Sequence, residues 1–354
     1  MATHLAAMSP AKGQPLELQA RPTPKPGPGE LLVLVKSVAL NPADGLMRNL
    51  GLFTPNYPTV IGFDMAGLVL EVGEGVPTSV GDAGDDTPGL FFQPGEKCLV
   101  PWQHAVPLPD ENMSWNEAAT LPVATVVALN AWETLGFTVP VPKPGTSTTQ
   151  PSDKTTHGGA QGQNKKTPEA VLIWGASSSV GTMGAQAARL MREDRDSPVA
   201  AVYATSGPAN TAYISALGAD RVFDYKDPGV VDAIVAAARE DGLCSRRFLV
   251  MAKGEGGEQK ETAMIGSAPP LPPDADVVDG VEAVFLLPSS EEEVRLEQFR
   301  FWMGTWLREG LGMGLIKPSP EPRVVGKGLG VINAGLDMVL QGVSCTKLVV
   351  EIGE

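Results

Sequence analysis

The sequence predicts an α/β chain in which a β-rich, barrel-like first third precedes a doubly wound parallel sheet. Three observations predict it. Long apolar strand signals before residue 101 are separated by regularly spaced Gly and Pro. From Ala170 onward, strand and helix signals alternate at the spacing of a parallel sheet. Between the first strand and helix of that series lies a turn of small residues, GASSSVG, at 175–181.

In order, residues 31–40 form a strand signal closed by Asn41 and Pro42. Residues 63–72 form a second, broken at Gly67 and closed by Gly73, and residues 97–101 a third. The character changes near Ser114. Residues 116–136 have helical composition, and Pro122 predicts a split into two helices. Residues 138–169 are rich in Pro, Gly, Ser, Thr and Lys and hold no Phe, Trp, Tyr, Leu or Ile, which predicts a solvated, mobile insertion. His157 lies inside it and is not expected to be a ligand. Strands are predicted at 171–174, 199–204 and 221–223, and helices at 181–191, 210–217 and 229–239. The tail reads as a helix at 291–309, a Gly- and Pro-rich stretch, a helix at 329–341 and a strand at 347–352.

Composition narrows the function. A chain of 354 residues fits about two domains, on a prior of roughly 100–200 residues each. The net charge of −14 argues against nucleic-acid binding, which needs a basic face. Three widely spaced cysteines without a CxxC exclude a disulfide framework and a cysteine-built zinc site. No stretch approaches the ~18 apolar residues of a spanning helix, and the N-terminus lacks a secretory leader pattern. A cytoplasmic protein without membrane contact is expected. No interface signal stands out, and a monomer is favoured.

The turn carries the chemistry. Small residues at Ser177, Ser178, Ser179 and Val180 let backbone approach a pyrophosphate, and a helix N-terminus offers N–H groups and partial positive charge. An NAD site carries Asp or Glu at the end of the second strand, for the ribose 2′-hydroxyl. Here that position reads Thr205-Ser206-Gly207, without a carboxylate, so NADPH is the expected cofactor. A solvated loop of small residues is the plainer alternative.

Several motifs in order then identify a resemblance. They are VALNPAD at 38–44, YPTVIGFDMAG at 57–67, VGEGV at 72–76, the turn at 175–181 and LGADRVFDY at 217–225. Together they resemble the medium-chain dehydrogenase/reductase family. Within it the chain is similar to fungal trans-acting enoyl reductases of polyketide pathways, those like the lovastatin enoyl reductase. The resemblance implies a GroES-like catalytic domain from 1–128 and 300–354, and a Rossmann nucleotide-binding domain over 129–299. Zinc-dependent relatives carry Gly-His-Glu where this chain has Gly62, Phe63 and Asp64, so no metal is predicted.

The resemblance also implies site residues. Asn41, Pro42, Ala43 and Asp44 would line the nicotinamide side, although Asn41 and Pro42 also read as a strand-ending turn. Gly207, Pro208, Ala209 and Asn210 would surround the adenosine phosphate beside Tyr225, which also reads as a half-buried aromatic. Cys345 and Thr346 would close over the cofactor. Substrate would run along Thr125, Val126, Val127, Ala128, Leu129, Asn130, Ala131 and Trp132. It would also run along Ala283, Val284, Phe285, Leu286 and Leu287, which equally read as a core strand. Thr125 is the candidate for orienting a thioester and Tyr57 for donating a proton, with solvent as the alternative donor.

The function implied is NADPH-dependent reduction of an α,β-unsaturated acyl thioester carried by a partner polyketide synthase. A free-standing quinone or enone reductase is the alternative. One stretch departs from the pattern: residues 243–280 offer a single strand candidate where two strands and a helix belong. A missing strand–helix unit is expected there, and with it a third reading, a non-catalytic binding subunit.

Overall fold

A computed structural model describes residues 2–78, 99–108, 113–143, 168–250, 263–271 and 279–352. Most of the predicted insertion, with His157, lies outside them, as do Lys97 and Cys98 of the third strand signal. The first part of the chain runs β1 (Thr3–Ser9), β2 (Glu17–Pro22), β3 (Glu30–Ala39), α1 (Pro42–Leu50), β4 (Thr59–Val60), β5 (Asp64–Val72) and β6 (Leu99–Pro101). Helices α2 (Trp115–Ala119) and α3 (Pro122–Thr134) follow, split at the proline as expected.

Strand β1 pairs antiparallel with β2 and β4. The long β3 pairs antiparallel with β5 and β6. Gly67 permits the β3–β5 approach, since a Cβ there would stand 2.0 Å from the Leu34 carbonyl oxygen. Where sequence reading placed only a turn after β3, the chain enters α1. Asn41 caps that helix, Pro42 occupies its first turn, and the Asp44 carboxylate accepts the Asn41 N–H at 2.8 Å.

The second part runs β7 (Glu169–Trp174), α4 (Ser179–Glu193), β8 (Val199–Ser206), α5 (Thr211–Leu217), β9 (Arg221–Asp224), α6 (Val230–Glu240), β10 (Cys244–Val250), β11 (Ala263–Ser267) and β12 (Val281–Phe285). Among the described residues these strands form one parallel sheet in the order β12-β11-β10-β7-β8-β9. The order reverses beside β7, as in a doubly wound sheet. The expected loss of a strand is therefore corrected: β10 and β11 are both present, paired from Arg247↔Met264 to Val250↔Ser267. The short run AMIGS escaped notice because Gly266 and Ser267 interrupt its apolar pattern. Gly266 lies against Leu286, whose Cδ2 would be 3.2 Å from an added Cβ. The segment joining the two strands, 251–262, lies outside the described residues.

The predicted tail helix is α7 (Glu292–Phe299), a π-helical stretch (Arg300–Leu307) and α8 (Arg308–Gly312). Its buried Trp302, Met303, Trp306 and Leu307 pack with α3 and α4 in the largest core cluster. Then come β13 (Pro322–Lys327), α9 (Ile332–Leu340) and β14 (Lys347–Glu351). Strand β14 returns to β3, pairing Val349↔Ala39 and Val350↔Val38. The C-terminal segment is thus built into the sheet of the first part.

Candidate active site

Parallel strands present their carboxyl ends along one edge, where open α/β sheets bind ligands. The turn after β7 lies on that edge. Gly175 takes φ 76°, and its N–H donates to Thr205 Oγ1 at 3.0 Å, while the Ala176 N–H reaches the Thr205 carbonyl at 2.9 Å. These bonds hold the turn against the end of β8. Ser178 caps α4 by accepting the Gly181 N–H at 3.0 Å. The N–H groups of Ser179 and Val180 in the first turn have no acceptor within the helix. A Cβ at Gly181 would stand 2.6 Å from both Ala176 Cα and the Gly175 carbonyl oxygen. The cradle therefore exists only because that residue is glycine, and it fits a pyrophosphate against a helix N-terminus.

Gly207, Pro208, Ala209 and Asn210 follow β8 directly, as a bend and a short 3-10 turn. Tyr225 follows β9 and is 46% exposed, with its ring facing Gly207, where an added Cβ would meet Cε1 at 4.0 Å. The Lys226 ammonium lies 5.7 Å from the centroid of that ring. Sequence reading brought these loops together through the motif but missed Lys226. The Asn210 amide donates to Ser344 Oγ at 3.0 Å, tying the loop to the segment that carries Cys345 and Thr346. Cys345 takes φ 46°. Burial, then the Glu321 carboxylate, pushes its thiol up, so it stays a neutral thiol at pH 7. The Thr346 hydroxyl donates to the Glu321 carbonyl at 3.0 Å.

On the β-rich side, Asn41, Asp44, Asp64 and Lys347 converge, all buried. The Lys347 ammonium donates to Asn41 Oδ1 at 2.5 Å and pairs with Asp64 Oδ2 at 2.8 Å. The Asn41 amide donates to the same Asp64 oxygen at 3.0 Å, and Asp64 Oδ1 accepts the Val123 N–H of α3 at 2.7 Å. One network thereby joins α1, β5, α3 and β14. Asp44 Oδ1 is buried without a hydrogen-bond partner. Burial pushes the Asp44 carboxyl up to about 7; Asp64 adds to the rise, while the Asn41 N–H and Lys347 oppose it. Sequence reading named Asn41 and Asp44 but gave Asp64 and Lys347 no role. The signal available was an acidic residue after Gly62-Phe63 and a lone lysine opening a very apolar strand.

Pro42 and Ala43 lie in the first turn of α1. Thr125 is fully buried in α3, and its hydroxyl donates to the Leu121 carbonyl at 2.8 Å, so its proton is committed to the helix. Val126, Ala128, Leu129, Ala131 and Trp132 belong to the core shared with α4, with Val127 packed against it. The Trp132 ring N–H donates to the Gly184 carbonyl at 3.3 Å, and Asn130 is also buried. Ala283, Val284 and Phe285 lie in β12, followed by buried Leu286 and exposed Leu287. The Tyr57 hydroxyl is buried without a partner, beside Gly51 at the end of α1.

A doubly wound sheet with a small-residue turn at a helix N-terminus, packed through α4 on α3 against a β-rich unit, is an architecture used by oxidoreductases of the nicotinamide-cofactor type. Comparison with known proteins agrees. Residues 27–84 match the Alcohol dehydrogenase GroES-like domain. The chain is 35% identical to the trans-enoyl reductase tndF of Aspergillus flavipes, over 99% of each chain. Two solved structures share the fold. The CurK enoyl reductase has a TM-score of 0.65 and 17% identity, covering 99% of each chain. Mycobacterial Rv1454c complexed with NADPH has a TM-score of 0.65 and 18% identity, covering 99% of this chain and 100% of that one. The chain belongs to the medium-chain dehydrogenase/reductase family, among the relatives of fungal trans-enoyl reductases. Among the described residues no helix is long and apolar enough to cross a membrane.

Proposed function

We propose that the chain is a trans-acting enoyl reductase that uses NADPH to reduce the α,β-unsaturated acyl thioester of a growing polyketide on a partner synthase. The observation that carries this reading is the end-to-end similarity to a trans-enoyl reductase, over 99% of both chains. The site geometry supports it. Residues 1–128 with 300–354 would act as the catalytic domain and 129–299 as the nucleotide domain. Ser177, Ser178, Ser179 and Val180 would hold the pyrophosphate through backbone N–H groups. Gly207, Pro208, Ala209 and Asn210 would receive the adenosine phosphate. Tyr225 would stack on the adenine side, and Lys226 would neutralise a 2′-phosphate that meets no carboxylate at the end of β8.

A bound nicotinamide cofactor would supply a hydride for the β-carbon. The π-electron pair moves to the thioester oxygen, and a proton must then reach the α-carbon. Asn41, Pro42, Ala43 and Asp44 would border the nicotinamide, with Lys347 and Asp64 fixing the first turn of α1. Cys345 and Thr346 would close over the cofactor. Because the Thr125 hydroxyl proton is committed to Leu121, Thr125 would act toward substrate only as an acceptor. Tyr57 keeps an uncommitted phenol proton and is the side-chain candidate for donation. Strand β11 is in place, which weakens the motive for an inactive binding subunit; the helix expected between β10 and β11 falls at 251–262, outside the described residues. The test is titration with NADPH and NADH, followed by turnover of enoyl thioesters monitored as NADPH loss. NADPH preference with thioester reduction is expected. Turnover of quinones or free enones alone would overturn the reading.

A further inference from the structure

Phe53 and Phe285 meet across the two parts of the molecule. Their rings are nearly parallel, 7° between planes, with centroids 6.5 Å apart. Phe53 is exposed and Phe285 half-buried, so both rings keep area for a third group. Phe53 is 47% exposed and holds φ 55°, a conformation that costs a bulky residue of order 1–3 kcal/mol. Burial does not offset that cost. The loop instead enforces it: Gly51 ends α1 at φ 71°, the Thr54 N–H donates to the Gly51 carbonyl at 3.1 Å, and Thr54 Oγ1 donates to the Leu52 carbonyl at 3.1 Å.

Phe285 ends β12 in one register row with Trp174, Val250 and Ser267. It therefore stands on the same carboxyl edge as the phosphate turn, three strand spacings or about 14 Å along it. Exposed Leu287, two residues past Phe285, adds apolar surface. A conjugated chain is flat, stiff and polarisable, so it can lie on parallel aromatic faces with little loss of rotational freedom. A chain with one double bond is flexible beyond it.

Resting on the enoyl-reductase reading, we propose that Phe53 and Phe285 form an aromatic clamp that selects acyl thioesters whose conjugation extends past the reacting double bond. The experiment compares wild type with Phe53→Leu on the N-acetylcysteamine thioesters of 2-hexenoate and 2,4-hexadienoate, with NADPH. Phe53 is exposed on a loop, so the variant leaves the core untouched. Loss of the ring is expected to lower kcat/KM for the dienoyl thioester three- to tenfold, mainly through KM. The hexenoyl value stays within about twofold, and Phe53→Tyr restores the dienoyl value. Turnover of both thioesters with the same response to Phe53→Leu, or with none, overturns the clamp alone. Absence of turnover with either thioester in wild type overturns the enoyl-reductase reading and the clamp with it.

Discussion

Replacing Asp44 with Asn changes how stability depends on pH. Asp44 is 2% exposed, and one of its oxygens has no partner. Burial raises its carboxyl from 3.8 to about 7, which corresponds to roughly 4 kcal/mol at 1.36 kcal/mol for each tenfold change in proton affinity. Below pH 3.8 both folded and unfolded chains hold the proton. Between 3.8 and about 7 the unfolded chain gives it up while the folded chain keeps it, so stability falls as pH rises. A carboxamide has the shape of the protonated acid and never ionises. Asp44→Asn should therefore match wild type at low pH and exceed it above pH 7. From pH 5.5 to 8 the advantage grows by about 2 kcal/mol, or about 5 °C in Tm for a domain of 150–250 residues.

His104 works in the opposite direction within part of that window. Burial, then Arg295, lowers it from 6.5 to about 4, so its contribution is lost as pH falls below 6.5. Both proteins share His104, and the difference between their Tm values cancels it. The assay is differential scanning fluorimetry of the two proteins at four pH values. A Tm difference that stays flat between pH 5.5 and 8 would refute the assignment of a buried, proton-holding carboxyl.

Gly181→Ala should weaken NADPH binding at least tenfold in a fluorescence titration, because its methyl would stand 2.6 Å from Ala176 Cα and displace the turn. Lys226→Ala should raise the NADPH dissociation constant about tenfold and leave that for NADH within twofold, since only the 2′-phosphate uses the charge. Lys347→Met should cost about 3–5 kcal/mol, because it strands the Asp64 charge; adding Asp64→Asn should recover most of that in denaturant melts. Tyr57→Phe should lower kcat about 100-fold with KM little changed if the phenol donates the proton, and an unchanged kcat would assign that step to solvent.

The elements that were legible in the sequence are those whose signal is local. The break at Pro122, the α4 turn and the alternating strands from β7 to β9 all announce themselves through proline, small residues or apolar runs. The start of α1 was hidden because Asn41-Pro42 reads equally as a strand end, and only Asp44 at the third helical position marks a capping box. Strand β11 was hidden because register with β10 and β12, rather than its own five residues, makes it a strand. In the candidate site, the turn at 175–181 is one contiguous segment and is legible directly. The Asn41–Asp64–Lys347 network joins residues up to 306 positions apart, so no spacing rule reaches it. Phe53 faces Phe285 only because the two parts of the chain fold against each other.

The C-terminal segment ties the two parts of the chain together. Lys347 opens β14 and neutralises Asp64 beneath α1, while Arg48 on α1 pairs with Asp337 on α9. Three residues before Lys347, Ser344 accepts the Asn210 amide from the loop after β8. The segment from 344 to 347 therefore touches both the loop at 207–210 and the start of α1. Any displacement of the 207–210 loop pulls on a strand whose first residue is locked into a buried ion pair. Such a pair has few alternative geometries, because moving either charge leaves the other buried and unpaired. The Ser344 bond is exposed and worth about 0.5–1.5 kcal/mol, so it yields first. On this ranking the Asn210 contact breaks before Asn41 and Asp44 lose their geometry.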